Sequence, residues 1–224
     1  MRMQLEALTA KQAIDKVISE NIHGLELDQR CVELAAFALA LEAWRYPGAG
    51  GYRQLPELQV ACSGMSINEA QKEWKDLAKD DEELQGAIKW MQQTFKDAPT
   101  LGSLIDPSKL NWENKQVAPW TKLQRAMANI SDATVESKTV AKGLDMSASL
   151  LSHKYHFVVT NVPYLATRKQ CVLLSSFLEK NYYAERFDLA TAMISRCLEL
   201  CAPGGMVAEV SPQAWNYLGS YEQF

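Results

Sequence analysis

A short apolar run that ends in a polar and aromatic turn constrains the fold of this chain more than any other feature. Residues 157–164 read Phe-Val-Val-Thr-Asn-Val-Pro-Tyr. The run at 157–159 is β-branched and aromatic and too short for a helix, so it predicts a buried central strand. The Asn161 turn (residues 161–164) then follows at the carboxyl end of that strand, where open α/β sheets bind ligands. An ordinary strand-to-loop turn remains the alternative, because Asn and Pro are common turn formers.

A second candidate site lies near the start of the chain. The pattern predicts a short strand over residues 22–27 and a long helix from Gln29 to about Trp44. Glu26 falls at the carboxyl end of this strand, where an acidic residue of nucleotide-type α/β folds accepts hydrogen bonds from ribose hydroxyls. Asp28 is suited to cap the helix, so we assign Glu26 to the ribose and Asp28 to the cap, although both carboxylates are candidates for the ribose. Two ordinary charges at a strand–helix junction are the alternative.

Predicted strands alternate with predicted helices along the whole chain. Further strands are expected at 58–61 and 206–210, and further helices at 5–19 and 188–200. The helix at 29–44 is apolar on most faces and is expected to be buried. The stretch 65–153 is longer than usual connections and is interpreted as a mainly helical insertion, with helix breaks near Ser131 and Gly143. The fold class expected is α/β with a mainly parallel sheet.

Composition excludes several classes of protein. The 224 residues are 47% hydrophobic and 22% charged, as in one substantial soluble domain, and they contain no membrane-length apolar run. No secretory signal is visible, and five scattered cysteines with three histidines argue against a metal site and predict reduced thiols in the cytoplasm. The net charge of −4 is unusual for a nucleic-acid-binding protein. A grip on nucleic acid would be concentrated at Arg168 and Lys169 or would lie outside this chain.

The order of several short motifs resembles a known family. In chain order they are Gly-Leu-Glu-Leu-Asp, Asn-Val-Pro-Tyr-Leu, Asp-Leu-Ala, Pro-Gly-Gly-Met-Val and Ser-Pro-Gln-Ala-Trp. The second resembles the (Asn/Asp/Ser)-Pro-Pro-(Tyr/Phe) motif of amino-methyltransferases, with Val162 in place of the first proline. The set resembles class I S-adenosylmethionine-dependent DNA adenine (N6) methyltransferases, above all the large restriction-associated and BREX phage-defence enzymes. It is dense over residues 21–44 and 155–221 and implies a Rossmann-like sheet.

The resemblance implies a role for each residue of the Asn161 turn. An adenine amino nitrogen is conjugated with its ring and is a poor nucleophile, so Asn161 and the Val162 carbonyl are expected to accept its hydrogens and orient it towards a sulfonium methyl group. Pro163 is expected to hold the turn through its fixed φ. Tyr164 is expected to stack on an adenine that has swung out of double-stranded DNA.

The resemblance also implies that S-adenosylmethionine is the cofactor. Glu26 is then expected on its ribose, with Asp28 as the second candidate, and Asp188 matches a stretch near the cofactor and target pockets of the family. Family members carry a glycine-rich first strand upstream of the ribose acid, and no such segment precedes Glu26. We therefore expect a fragment: residues 1–64 as an incomplete first part of the methyltransferase core, 65–153 as the insertion and 154–224 as the second part.

The function expected is methyl transfer to a flipped adenine of DNA in restriction-modification or phage defence. On its own, this chain is expected to bind cofactor weakly or not at all, unless the remaining part of a larger methyltransferase or a defence complex supplies the missing strand. Two alternatives stay open. One is an amino-methyltransferase that acts on RNA or on a protein glutamine, and the other is a non-catalytic remnant that acts by binding or assembly.

Overall fold

The computed structural model describes residues 2–65, 74, 78, 81–109, 120–121, 125–126 and 135–217. They form two compact units. Unit 1 contains the described residues up to Gly102 and those from 120 to Leu150, and unit 2 contains Ser103–Lys109 and the described residues from Leu151 onwards. Each unit holds one pair of parallel strands. The expected α/β class with parallel pairing is therefore confirmed, whereas a Rossmann-like sheet that lacks its first strand and carries a large helical insertion stays a prediction.

Unit 1 begins with helices and continues through its strand pair. Its elements are α1 (Arg2–Leu5), α2 (Ala10–Lys16), a π-helical turn (Val17–Asn21), β1 (His23–Glu26), α3 (Gln29–Arg45), β2 (Gln59–Cys62), α4 (Glu82–Phe95), α5 (Ala98–Leu101) and α6 (Val135–Ser152), which runs on into unit 2. Strands β1 and β2 pair in parallel from His23 opposite Gln59 to Glu26 opposite Cys62. The predicted strands at 22–27 and 58–61 are thus present with slightly shifted ends.

The helix expected over residues 5–19 is interrupted. Ala7 has a φ of 53°, in the left-handed region, and it separates α1 from α2. Thr9 then starts α2 with a capping box: its hydroxyl accepts from the Gln12 backbone N–H at 3.3 Å, and the Gln12 side chain accepts from the Thr9 N–H at 3.0 Å. Local capping chemistry therefore overrides the apolar spacing that suggested one continuous helix.

Two further expectations for unit 1 are wrong. Helix α3 is not buried on most faces, because Leu34 is 68% exposed and Phe37 is 60% exposed. Helix α6 is continuous through Gly143, where a break was expected. A Cβ added at Gly143 would lie 2.5 Å from the Met65 Cε, so this glycine admits a close neighbour and does not end the helix. The break expected near Ser131 lies outside the described residues.

Unit 2 is built around its own strand pair. Its main elements are β3 (Tyr155–Asn161), α7 (Val172–Asn181), α8 (Leu189–Leu200) and β4 (Cys201–Val210). Helix α8 packs on both strands, and β3 runs parallel to β4 up to Asn161 opposite Val210. Strand β4 starts earlier than expected. Its Pro-Gly-Gly segment lies within the strand, opposite the register shift between Tyr155 and Phe157. Gly204 has a φ of 77° there, which favours glycine.

The expectation that the run at 157–159 forms a buried central strand is wrong for the described chain. Among the described residues, β3 pairs with β4 alone. Alternate side chains on one face are exposed, including Phe157 at 72% and Val159 at 78%, while α8 packs with the two strands. On β4, Met206 and Val210 are also largely exposed. The sheet of unit 2 therefore presents an uncovered apolar face, which we call the open face (Phe157, Val159, Met206 and Val210).

A buried arginine ties the segment Ser103–Lys109 to α8 within unit 2. Arg196 is 1% exposed. Its guanidinium donates to three carbonyls and two carboxylates at 2.9–3.1 Å: those of Ser103, Ile105, Leu151, Asp106 and Glu199. A planar fork with five donors suits such a site, because each donor meets an acceptor and the buried charge is compensated. No helix of the described residues is long and apolar enough to cross a membrane.

Candidate functional site

The Asn161 turn lies at the carboxyl end of β3. Asn161 is the last residue of the strand and pairs with Val210 of β4. Because strand side chains alternate, Asn161 points to the same side as Phe157 and Val159, and it is exposed. The next residue, Val162, is only 4% exposed. The turn is therefore anchored by the buried Val162 side chain while the Asn161 amide remains accessible.

The Tyr164 ring is held beside the same end of the sheet. Its hydroxyl donates to the Val210 carbonyl at 3.3 Å, and the side chain is still 52% exposed. Since Val210 is also the pairing partner of Asn161, the bond holds the Tyr164 hydroxyl at the strand end that carries Asn161. Pro163 lies between them in the chain and is exposed. An accessible amide and an accessible aromatic ring thus lie at the same end of the strand pair.

The backbone after the turn is fixed to the start of α8. The Leu165 N–H donates to the Asp188 Oδ1 at 3.0 Å, and the Leu189 N–H donates to the Leu165 carbonyl at 3.1 Å. Ala166 and Asp188 form an antiparallel bridge. The turn is therefore held on both sides, by β3 before it and by α8 after it.

Asp188 performs a structural task at this junction. It is the N-cap of α8, and its Oδ1 also accepts from the Ala190 N–H at 2.9 Å. A carboxylate at this position satisfies free backbone donors and interacts favourably with the positive end of the helix dipole. Its place near the cofactor and target pockets stays a prediction; in the structure its carboxylate is bonded to the Leu165 N–H.

In unit 1, Glu26 ends β1 with its side chain exposed. Its Oε1 accepts from the Leu27 N–H at 2.8 Å. Its carbonyl accepts from the Ser63 N–H at 2.7 Å and from the Ser63 hydroxyl at 3.2 Å. A Cβ on Gly64 would lie 2.3 Å from the Leu27 carbonyl oxygen, so only glycine allows this close approach. The residues after β2 therefore fix the backbone that presents the Glu26 carboxylate.

Asp28 caps α3, as the sequence predicted. Its carboxylate accepts from the Arg30 N–H at 2.9 Å and pairs with the Arg30 guanidinium at 2.5 Å. The hydrogen bonds from Arg30 lower the pKa of Asp28 from 3.8 to about 2. With both oxygens engaged by Arg30, Asp28 is less available to a ribose than Glu26.

One unusual carboxyl group was missed by sequence reasoning. Glu209 pairs with Thr160 of β3, one position before the end of β4. Both of its carboxylate oxygens are shielded from solvent and find no hydrogen-bond partner among the described residues. Burial raises its pKa from 4.5 to about 7. By strand alternation it lies on the opposite side from Asn161, and an acidic residue in an alternating strand gives no sequence signal for such shielding.

The sequence also missed the residues that support the predicted site. Ser63 and Gly64 follow β2 and hold the end of β1, although in sequence they look like an ordinary strand end. The exposed Glu26 carboxylate fits the ribose end of a nucleoside cofactor, because it can accept hydrogen bonds from both hydroxyls. No counterpart of a glycine-rich methionine-binding segment adjoins β1 among the described residues. No group of three or more potential metal ligands occurs among them either.

Known proteins resemble this chain over most of its length. The chain is 26% identical over 225 residues to adenine-specific methyltransferase PglX of Lacticaseibacillus casei (strain Zhang), covering 98% of this chain and 18% of that protein. It is 24% identical over 229 residues to adenine-specific methyltransferase BrxX of Escherichia coli O9:H4 (strain HS), covering 92% of this chain and 19% of that protein. The chain thus spans under a fifth of the length of these curated relatives.

A family profile covers the residues of both candidate strand ends. The sequence profile described as Eco57I restriction-modification methylase matches residues 20–224, which include β1, Glu26 and the whole Asn161 turn. The expected resemblance to restriction-associated and phage-defence methyltransferases is therefore confirmed. The chain belongs to the Eco57I restriction-modification methylase family.

Proposed function

We propose that this chain carries the target-base clamp and the ribose-binding acid of a DNA adenine-N6 methyltransferase that acts in restriction-modification or phage defence. The observation that carries the proposal is the Asn161 turn, in which an accessible amide ends β3 and the Tyr164–Val210 bond holds an accessible ring at the same strand end. Family membership supports methyl transfer from S-adenosylmethionine, and the names of PglX and BrxX support adenine as their target.

The residues of the turn divide the work of presenting the amino group. The cofactor, when bound, supplies the methyl group. The Asn161 amide oxygen and the Val162 carbonyl accept the two amino hydrogens of a flipped adenine and so orient the nitrogen lone pair. Pro163 fixes the backbone between the acceptor and the ring. Tyr164 stacks on the adenine and replaces part of the stacking lost when the base leaves the duplex.

Glu26 binds the cofactor ribose in this proposal. Its carboxylate is exposed at the end of a parallel strand, whereas the Asp28 carboxylate is occupied by Arg30. Asp188 contributes indirectly, because its bond to the Leu165 N–H holds the backbone that follows the clamp. The Glu26 carboxylate accepts only the adjacent Leu27 N–H among the described residues, whereas the Asp28 and Asp188 carboxylates are already committed to helix caps.

The open face points to a larger assembly. Four apolar side chains of β3 and β4 are more than half exposed, and the relatives are several times longer than this chain. We propose that another part of a larger methyltransferase, or a subunit of a defence complex, covers this face. The chain by itself is then expected to give no methyl transfer. Robust transfer of labelled methyl groups to DNA by the purified chain contradicts the need for such a partner.

The base clamp is tested by capture of an adenine that needs no energy to leave its pair. We expect the chain to bind a duplex with an adenine opposite an abasic site more tightly than the same duplex with cytosine there. Asn161→Ala should abolish this preference. Asn181→Ala removes another exposed amide, at the end of α7, and should leave the preference intact. Equal binding of both duplexes by the unaltered chain would refute the clamp.

Calorimetry with S-adenosylmethionine separates the methyltransferase from a non-catalytic remnant. Binding that is lost in Glu26→Ala and kept in Glu33→Ala, an exposed acid on α3, favours a cofactor site at β1. Calorimetric titrations of the chain with RNA that contains an unpaired adenine, and with a glutamine-containing peptide, test the other classes of amino substrate. Tighter capture of either one, relative to the DNA duplex, would move the proposal to that substrate.

A further inference from the structure

We propose that the loop at residues 167–170 binds the phosphate backbone of the duplex beside the target base. The inference rests on the proposed function, since it supplies a DNA contact to the base clamp. Arg168 and Lys169 are consecutive, both are exposed, and no salt bridge of the described residues involves either of them. Two unpaired cations on a surface turn are suited to phosphate, which dominates affinity for nucleic acids.

The loop is held in one shape before any ligand arrives. The Thr167 N–H and hydroxyl both donate to the Phe187 carbonyl at 3.0 Å, and the hydroxyl also lies 3.3 Å from the Arg186 carbonyl. The Gln170 side chain donates to the Leu165 carbonyl at 3.1 Å and to the Arg186 carbonyl at 3.3 Å. These bonds bracket the two cations, so less conformational entropy is lost when they bind.

A stacked arginine fixes the segment that accepts these bonds. The Arg186 guanidinium lies 3.7 Å from the centre of the Tyr183 ring and 4.3 Å from the centre of the Phe187 ring. It also donates to the Tyr183 carbonyl. Cations at such distances are attracted to aromatic faces. Arg186 is therefore a positioning residue: its side chain packs in the segment whose carbonyls hold Thr167 and Gln170.

The neighbouring acids Glu185 and Asp188 form no salt bridge with the loop among the described residues, and each is hydrogen-bonded elsewhere. Glu185 accepts from the Ser195 hydroxyl at 2.7 Å. Asp188 accepts from the backbone N–H groups of Leu165 and Ala190. In a chain with a net charge of −4, the 167–170 loop thus presents two adjacent, exposed positive charges directly after the base clamp. This placement favours the strand that carries the flipped base over a distant part of the duplex.

The test is the salt dependence of duplex binding by the whole chain, measured by fluorescence anisotropy. The slope of log K against log salt is negative, and each lost phosphate contact makes it less steep by about 0.9. The double variant Arg168→Ala/Lys169→Ala should therefore make the slope less steep by about 2, so that between about 50 and 200 mM salt the affinity of the unaltered chain falls about tenfold more than that of the variant. Arg168→Lys should keep the slope, and Thr167→Val should weaken binding with little change in slope.

The matched control is Lys11→Ala/Lys89→Ala, which removes the same charge from two exposed positions of unit 1. An equal fall in slope for both double variants overturns the inference, as does a failure of the unaltered chain to bind duplex DNA. A steeper salt dependence for single-stranded RNA than for duplex DNA, measured with the unaltered chain, also overturns it. The two failures can be told apart. If the unaltered chain shows no preference for adenine, but its slope still differs from that of the Arg168→Ala/Lys169→Ala variant, the base clamp alone is refuted.

Discussion

Replacing Glu209 by glutamine should remove a pH-dependent weakness from unit 2. Glu209 faces the α8 side of the strands with both carboxylate oxygens shielded and unpartnered among the described residues. The Cys197 thiol of α8 lies near this carboxylate. Burial is the main cause that raises the pKa of Cys197 to about 11, and the charge of Glu209 is the second. An ionised Glu209 is therefore unfavourable in the folded state, and a neutral amide of the same shape avoids the charge.

The sign follows from where the proton is held. Burial raises the pKa of Glu209 from 4.5 to about 7 in the folded chain. Well below pH 4.5 both states are protonated and the group has no effect. From there up to pH 7 the unfolded chain loses the proton while the folded chain keeps it, so stability falls as the pH rises and then levels off.

The size of the effect is bounded by the same two pKa values. At about 1.4 kcal/mol for each pH unit, the ceiling is about 3 kcal/mol. The side chain as a whole is only partly buried, so solvent screening reduces the expected loss to about 1–2 kcal/mol. The Glu209→Gln variant should therefore gain about 1 kcal/mol or more relative to the unaltered chain between about pH 5 and 8.

Hydrogen exchange of the β3 and β4 peptides measures this difference in unit 2 alone. Comparing variant and unaltered chain at the same pH cancels the intrinsic pH dependence of exchange, and the unpaired amide of the variant adds only a constant offset. Glu179→Gln, at an exposed site on α7, is the control and should show no pH-dependent difference. A constant difference between Glu209→Gln and the unaltered chain from about pH 5 to 8 would refute the reasoning.

Three further substitutions follow from single contacts. Asp188→Ala should destabilise α8 by about 1 kcal/mol and increase exchange at Leu165, whereas Asp188→Asn should retain most of the cap, as urea titration and exchange would show. Arg196→Lys should cost about 3 kcal/mol in thermal unfolding, because an ammonium cannot meet acceptors that surround a planar fork; a loss below about 1 kcal/mol would contradict this account. Gly64→Ala should destabilise β1 by about 1–3 kcal/mol, since its Cβ meets the Leu27 carbonyl, and circular dichroism during thermal unfolding would measure it.

The sequence predicted features that depend on local chemistry. Asp28 caps α3 because a carboxylate before a helix accepts its free N–H groups, and that rule needs no knowledge of the rest of the fold. Asn161 falls at the end of β3 because an apolar run that stops at a polar turn ends the pairing there. The parallel pairing of both strand pairs follows from the alternation of strands with helices.

Exposure could not be predicted from the same local rules. Phe157 and Phe37 are apolar residues in a strand and a helix, yet both are more than half exposed. Burial of an apolar side chain lowers the free energy. Which neighbour buries it, however, is set by tertiary packing or by a partner. The predictions that β3 and α3 are buried were therefore wrong, because these side chains have no covering neighbour among the described residues.

The support of the candidate site was hidden for a related reason. Tyr164 and Leu165 are adjacent in sequence but are fixed to different elements, the first to the end of β4 and the second to the N-cap of α8. Both acceptors lie many residues away along the chain, so the two bonds fix the Asn161 turn from both sides. On the proposed function, a carboxylate near the target pocket acts by capping the helix whose start holds this turn. If so, Asp188→Asn should preserve adenine capture while Asp188→Ala weakens it, whereas loss of capture in both would require a charge that acts on the ligand directly.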